Sequence, residues 1–93
     1  MKLTHNKKRY DSDKCEVLGE TDHYNDNTYA GTTYLLRASD GQLLILCYSN
    51  GQDCYFQNDF SVFENTYMTI NDFDMDEEQE DLCVKYNLIT IVE

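Results

Sequence analysis

The chain has 93 residues, 41% of them hydrophobic and 13% aromatic, and a formal net charge of −11. This composition excludes a disordered chain, and the length predicts a single domain, residues 1–93, with a modest core. The charge is uneven, because residues 1–14 carry +3 and residues 15–93 carry −14, so most of the surface should repel nucleic acids and anionic membranes and attract basic proteins.

The first third of the chain predicts two short strands and a loop. The stretch "NKKRYDSDKCEVLGE" indicates a strand, a tight polar turn at 11–13 and a second strand around 15–19. The stretch "TDHYNDNTYAG", residues 21–31, is rich in Asn and Asp, whose side chains bond to nearby backbone groups, and it predicts a loop.

The middle of the chain predicts an antiparallel meander. Two runs rich in strand-forming residues, 32–38 and 42–49, flank Asp40-Gly41, a pair that favours a type I′ hairpin turn. Asn50-Gly51 gives the same signal before a third strand over residues 52–57. The run "LLILC" is apolar on both faces, which indicates an inner strand covered on both sides.

Further strands are predicted on either side of a helix. Phe60 and Phe63 indicate a short turn, and residues 67–70 favour one more strand. The β-branched stretch "LITIVE", residues 88–93, predicts a final strand. The predicted fold class is therefore α+β, an antiparallel β-sheet meander of about five strands with one C-terminal helix.

The helix signal is a capping pattern followed by an apolar stripe. Asp74 as N-cap with Glu77 three residues later fits a capping box, so we expect a helix over residues 75–86. The apolar side chains at helical spacing are Met75, Leu82, Cys83 and Tyr86.

Residues 71–81, "NDFDMDEEQED", form an acidic segment with three interpretations. Asp72, Asp74 and Asp76 imitate the start of a calcium loop, but Glu77 and Cys83 stand where that loop needs Gly and a bidentate Glu, so no metal site is predicted. A helix start favoured by the helix dipole explains only part of the charge, because like charges continue past the first turn without interleaved Lys. The third interpretation is a surface that imitates a phosphate backbone and binds a basic partner.

Catalysis has little support in the sequence. No nucleophile elbow, P-loop or dinucleotide-binding motif occurs, and His5 and His23 lie in no recognisable motif. A hydrolase or modifying enzyme that uses Cys54 or His23 is the enzyme alternative. We expect no enzyme activity and no cofactor.

Location and thiol state follow from what the sequence lacks. No apolar run is long enough to cross a bilayer and the N-terminus has no apolar signal core, so we expect a cytoplasmic protein without membrane association. No two cysteines form a CxxC pair, which leaves zinc-knuckle and thioredoxin interpretations without support. Free thiols are therefore expected at Cys15, Cys47, Cys54 and Cys83.

Two stretches carry a resemblance to a group of known proteins. "KKRYDSDKCEVLGE", residues 7–20, and "TYLLRASDGQLLIL", residues 33–46, resemble the opening and the hairpin of small orphan proteins from phages and integrated elements of low-GC bacteria. "FDMDEEQE", residues 73–80, corresponds loosely to their acidic helix start, whereas the segment after the hairpin departs from their pattern. The resemblance implies a β-rich fold with one helix and a gene carried on a mobile element, hence a protein in the cytoplasm of a bacterial host cell. Some proteins of similar size and charge on such elements are anti-CRISPR proteins, which bind and block the nucleic-acid site of an effector.

Charge and resemblance together predict a small non-catalytic inhibitor that acts as a nucleic-acid mimic. Its partner would be a basic nucleic-acid-binding protein, such as a CRISPR effector nuclease or surveillance complex, and it would not bind nucleic acid itself. The alternative is an acidic accessory or structural protein of a mobile element, and a homodimer through a sheet edge stays open. The expected partner-binding residues are Asp72, Asp74, Asp76, Glu77, Glu78, Glu80 and Asp81.

Overall fold

The computed structural model describes residues 1–49, 58–65 and 68–92. In these ranges the protein is an antiparallel α+β fold with one helix near the C-terminus, which confirms the predicted fold class. The elements in chain order are β1 (Lys2–His5), β2 (Lys8–Asp11), β3 (Glu16–Asn25), β4 (Thr28–Arg37), β5 (Leu43–Ser49), β6 (Asp59–Val62) and α1 (Glu77–Lys85). Short 3-10 turns lie at Ser12–Lys14 and Ile70–Asp72.

The strands form a four-stranded sheet in the order β3-β4-β5-β6 and a separate β1–β2 hairpin. Consecutive residues of β4 point to opposite faces of the sheet, so Leu36 contributes to one core and Leu35 to the other. The hairpin covers the first face through Tyr10, and α1 covers the second through Cys83. The inner strand β5 is therefore apolar on both sides, as its sequence predicted.

The predicted loop at residues 21–31 is wrong, because β3 and β4 run through it. They meet at a two-residue turn in which Asp26 and Asn27 have φ of 50° and 65°. Positive φ at both positions is the type I′ geometry, which matches the twist of the strands on either side. The Asn and Asp residues of this stretch therefore mark one tight turn. Asn6 and Lys7 make the same kind of turn between β1 and β2, with φ of 50° and 63°.

The hairpin at Asp40-Gly41 is present, but its turn is not type I′. Only Gly41 of this pair has a positive φ, at 93°. The Gly41 N–H donates to the Ala38 carbonyl at 2.9 Å, and the Ala38 N–H donates to the Gln42 carbonyl at 2.9 Å. This is the longer hairpin loop in which a glycine in the left-handed region follows the turn. The Asp40 carboxylate stabilises it by accepting the Gln42 N–H at 3.0 Å.

Three further predictions after the hairpin need correction, and one lies outside the described residues. Phe60 lies in β6, paired with Leu46, and not in a turn. Ile70 begins a 3-10 turn where a strand was predicted to end. No strand occurs over residues 88–92. The strand at 52–57 and its Asn50-Gly51 turn fall outside the described ranges.

The apolar residues after α1 form the end of the helix instead of a strand. Asn87 has φ of 62°, the Asn87 N–H donates to the Val84 carbonyl at 3.1 Å, and the Leu88 N–H donates to the Cys83 carbonyl at 2.8 Å. This pattern is a Schellman motif, with Asn87 in the left-handed position that ends the helix. Leu88 then folds back on the helix-side core, which explains its apolar side chain.

Candidate functional site

The acidic segment, residues 71–81, lies at the surface, and hydrogen bonds between neighbouring residues fix its conformation. It comprises the 3-10 turn, an extended stretch and the first turns of α1. The structure leaves all seven predicted partner-binding residues exposed, and these are Asp72, Asp74, Asp76, Glu77, Glu78, Glu80 and Asp81.

The helix begins two residues later than predicted. The Asp76 carboxylate accepts the Gln79 N–H at 2.8 Å, and the Gln79 side-chain oxygen accepts the Asp76 N–H at 3.0 Å. These two bonds form the capping box, so Asp76 is the N-cap and the predicted box of Asp74 and Glu77 is wrong. Asp74 does not serve as N-cap, because its backbone pairs with β3 and the helix begins only at Glu77.

Two of the seven carboxylates are already committed to local structure. Asp76 holds the helix cap, and the Asp72 carboxylate accepts the Thr69 backbone N–H at 2.7 Å. Glu77, Glu78 and Glu80 make no contact of this kind in the described ranges. They are carried around the outer side of α1, because the inner stripe is formed by Leu82, Cys83 and Tyr86.

Asp74 attaches the acidic segment to the edge of the sheet. The Asp74 N–H donates to the Glu20 carbonyl at 2.7 Å, and the Glu20 N–H donates to the Asp74 carbonyl at 3.0 Å. Side chains of residues paired in this way point to the same side of the strands. Phe73 and Met75 pack in the core under the helix, so the Asp74 carboxylate points the other way, beside that of Glu20. The Glu20 carboxylate thus lies next to the acidic segment but on the sheet face opposite α1, and nothing in the sequence indicated it.

This arrangement concentrates negative charge without neutralising it. Like charges directly opposite each other across a strand pair are destabilising. The two ion pairs of the described residues, Lys8–Asp40 at 3.2 Å and Arg37–Glu16 at 3.8 Å, involve neither Glu20 nor any of the seven acidic residues. Among the described residues, none of these eight carboxylates pairs with a Lys or Arg side chain, so their charge is available to a basic partner.

The C-terminal end of α1 is anchored on the same strand. The Tyr86 hydroxyl donates to the Glu16 carboxylate at 2.6 Å, and this bond is the main cause that raises the pKa of Tyr86. The Arg37 guanidinium lies over the Tyr86 ring, 3.8 Å from its centroid. The helix that carries the acidic residues is thus fixed to β3 at both ends, at Glu20 and at Glu16.

The basic residues lie near the C-terminal end of β4, around the turn that joins it to β5. Lys8 and Tyr10 both donate to the Asp40 carboxylate, at 3.2 Å and 2.7 Å. The Gln42 N–H and these two side chains lower the pKa of Asp40 to about 2, from 3.8. A surface cavity of about 300 Å³ beside Ala38 is lined by Lys2, Arg9 and Lys14, among others. The protein therefore has a basic end near the Ala38–Asp40 turn and an acidic helix along β3.

Of the two residues in the enzyme alternative, His23 lies within the described ranges. His23 lies in β3, not in a loop, and its Nε2 lies 2.7 Å from the Thr33 hydroxyl. The Thr33 hydroxyl lies 3.7 Å from the Cys47 sulfur. Cys54 falls outside the described residues, and the thiols of Cys15, Cys47 and Cys83 are free.

Neither a group of metal ligands nor a membrane-spanning helix occurs in the part of the chain that the structure describes. In residues 1–49, 58–65 and 68–92, no three His, Cys, Asp or Glu side chains are placed so that they could hold a metal ion. No helix in the described part of the chain is long and apolar enough to cross a bilayer. Comparison with protein-family models, curated proteins and solved structures finds no match to this chain.

Proposed function

We propose that this protein is a small non-catalytic inhibitor that uses its acidic segment to bind the basic, nucleic-acid-binding surface of another protein. The observation that carries the proposal is the exposed charge of the segment, which pairs with no Lys or Arg among the described residues. A surface selected for stability alone would interleave Lys with these acids or separate them. A surface selected for binding a basic partner gains on-rate and selectivity from the same charges.

The placement of the carboxylates on a helix fixed to the sheet suits a partner that normally holds a phosphate backbone. Glu77, Glu78, Glu80 and Asp81 surround the outer side of a helix whose ends are both fixed to the sheet. A fixed array loses little conformational freedom when it meets Lys and Arg side chains. The resemblance of residues 7–20 and 33–46 to proteins of phages and mobile elements favours a CRISPR effector as the partner.

The test uses purified CRISPR effector nucleases, each loaded with guide RNA, in binding and DNA-cleavage assays. The variant E77Q/E78Q/E80Q/D81N removes four charges from the helix and leaves the Asp76 cap in place. The matched control D13N/D26N/D59N/E64Q removes four exposed charges elsewhere. We expect the helix variant to lose binding and inhibition and the control to retain both.

Salt dependence supplies the second arm of this test. Wild-type affinity should fall as the salt concentration rises, because exposed charges are screened over roughly 8–10 Å near physiological ionic strength. Equal binding and inhibition by wild type and helix variant would show that the charge serves solubility, which is the accessory-protein alternative. Absence of binding to every effector tested would reject CRISPR effectors as the partner class.

A further inference from the structure

Four tyrosines form an exposed aromatic patch at the end of the sheet opposite the basic residues. We call Tyr24, Tyr29, Tyr34 and Tyr48 the tyrosine face. Tyr24, Tyr29 and Tyr48 expose 64%, 43% and 56% of their surface, and Tyr34 is half-buried. The rings of Tyr24 and Tyr29 meet edge to face, with centroids 6.0 Å apart.

The register of the strands places this patch on the sheet face that the β1–β2 hairpin covers only in part. Tyr34 lies opposite Leu46, and both pack against the hairpin-side core. Tyr48 follows Leu46 by two residues, so it points to the same face beyond the hairpin. Tyr29 reaches that face through its hydroxyl, which lies 2.6 Å from the Thr32 hydroxyl.

Carboxylates accompany the tyrosines on this face. Glu20 lies opposite Tyr34, and Asp22 lies opposite Thr32. The Thr32 hydroxyl is buried and donates to the Asp22 carboxylate at 2.7 Å, which fixes the acid beside the rings. Burial, followed by the charge of Glu20, raises the pKa of Tyr34, so its phenol is neutral at physiological pH.

A tyrosine and a carboxylate also lie together near the C-terminal end of α1, and there they bind an arginine side chain. There, Tyr86 and Glu16 hold Arg37, whose guanidinium lies 3.8 Å from the ring centroid and whose nitrogen lies 3.8 Å from the carboxylate. The tyrosine face repeats the pairing of phenol and carboxylate. Among the described residues, no Lys or Arg lies over the ring of Tyr24 or Tyr48.

We propose that the tyrosine face is a docking surface for arginine side chains presented by a protein partner. Arginine fits better than lysine because its planar guanidinium stacks on aromatic rings and binds carboxylates through two donors. Tyrosine is also one of the residue types that contribute most of the binding energy in protein–protein interfaces. Nucleobases can stack on tyrosines as well, but Glu20 and Asp22 repel the phosphates that accompany them.

The inference rests on the proposed function only in that the arginines would belong to the same basic partner. The acidic helix would supply attraction that does not distinguish Lys from Arg, since both carry one positive charge. The tyrosine face would supply the preference for arginine. The two surfaces therefore predict different effects in one experiment.

The experiment titrates the full chain with three probes at low salt by calorimetry. The probes are an alternating Arg-Gly peptide, a Lys-Gly peptide of equal length and charge, and an oligothymidylate. For the wild type we expect the Arg-Gly peptide to bind roughly five- to tenfold more tightly than the Lys-Gly peptide, and no binding of the oligothymidylate. In Y24L/Y48L, which keeps apolar side chains of similar reach, the two peptides should bind within about twofold of each other.

Control variants separate this inference from the proposed function. E77Q/E78Q/E80Q/D81N should weaken both peptides by the same factor and preserve the preference for arginine. Y48F retains the ring face and should also preserve it. Equal affinity of the two peptides for wild type, an unchanged preference in Y24L/Y48L, or binding of the oligothymidylate would overturn the tyrosine-face proposal. Circular dichroism of each variant confirms that the fold is retained.

Discussion

Gly19 and Phe73 are in contact at a distance that admits no side chain on Gly19. A Cβ placed on Gly19 would lie 2.9 Å from the Phe73 Cβ, 3.2 Å from a side-chain carbon of Met75 and 3.3 Å from the Asp74 carbonyl oxygen. The close approach of the acidic segment to β3 thus depends on a glycine. The same close approach places the backbone of Asp74 within hydrogen-bond distance of the Glu20 backbone.

Gly19→Ala should therefore push the acidic segment away from the sheet. We expect a loss of about 1–3 kcal/mol in the free energy of unfolding, typical of an overpacked core position. Urea denaturation followed by circular dichroism measures it, with Thr28→Ala at an exposed position as control. A midpoint equal to that of wild type would contradict the packing described at Gly19.

The position of the helix cap distinguishes two neighbouring aspartates. Asp76→Ala removes the side chain that accepts the Gln79 N–H and should cost about 1 kcal/mol. Asp74→Ala leaves the cap intact and relieves the repulsion from Glu20, so its stability should equal or slightly exceed that of wild type. Thermal denaturation of both variants decides between the two positions. A larger loss in Asp74→Ala would restore the capping box predicted from the sequence.

Asp40 should make stability sensitive to acid. The pKa of this carboxyl falls from 3.8 to about 2 in the folded protein, because the Gln42 N–H, Tyr10 and Lys8 donate to its charged form. A group whose pKa is lower in the folded state stabilises the protein above its unfolded pKa, and this contribution is lost as the pH falls toward 2. Asp40→Asn should therefore flatten the decline in stability between about pH 4 and pH 2. The measurement is the urea midpoint at half-unit pH steps, and an unchanged slope would argue against the Tyr10–Asp40 bond.

All four cysteines should be reduced thiols in the native protein. Thiol titration in denaturant without added reductant should give four equivalents. In the folded protein, Cys15 and Cys83 should react slowly at neutral pH, because burial raises the pKa of each thiol, with Asp11 and Glu80 adding to the effect. A count of two or none would instead indicate disulfides and an oxidising compartment.

Local sequence signals predicted those parts of the fold whose determinants lie close together in the chain. The turn at Asp40-Gly41 joins the two strands that its glycine indicated, and the stripe of Leu82, Cys83 and Tyr86 faces the core as expected. The predictions were wrong where two local structures fit the sequence equally well and a contact with a distant residue determines which one forms. Asp74 and Asp76 are both acceptable N-caps, and pairing with Glu20, far earlier in the chain, decides between them.

In the candidate site, too, the features set by local sequence were predicted and those set by distant contacts were not. Exposure of the seven acidic residues followed from their charge, and the structure agrees. Glu20 and the tyrosine face were missed because their neighbours lie on other strands. The Asn and Asp residues at 25–27 mark a single turn, and reading them as a loop hid the register that places Tyr34 opposite Glu20.

The two attachments of α1 to β3 determine how long this helical segment must be. Asp74 meets Glu20 before the helix, and Tyr86 meets Glu16 after it, so the chain between them spans four residues of strand. One residue added within the helix would rotate all later side chains by about 100° and turn Tyr86 away from Glu16. An insertion or deletion between the two attachment points would therefore break one of them.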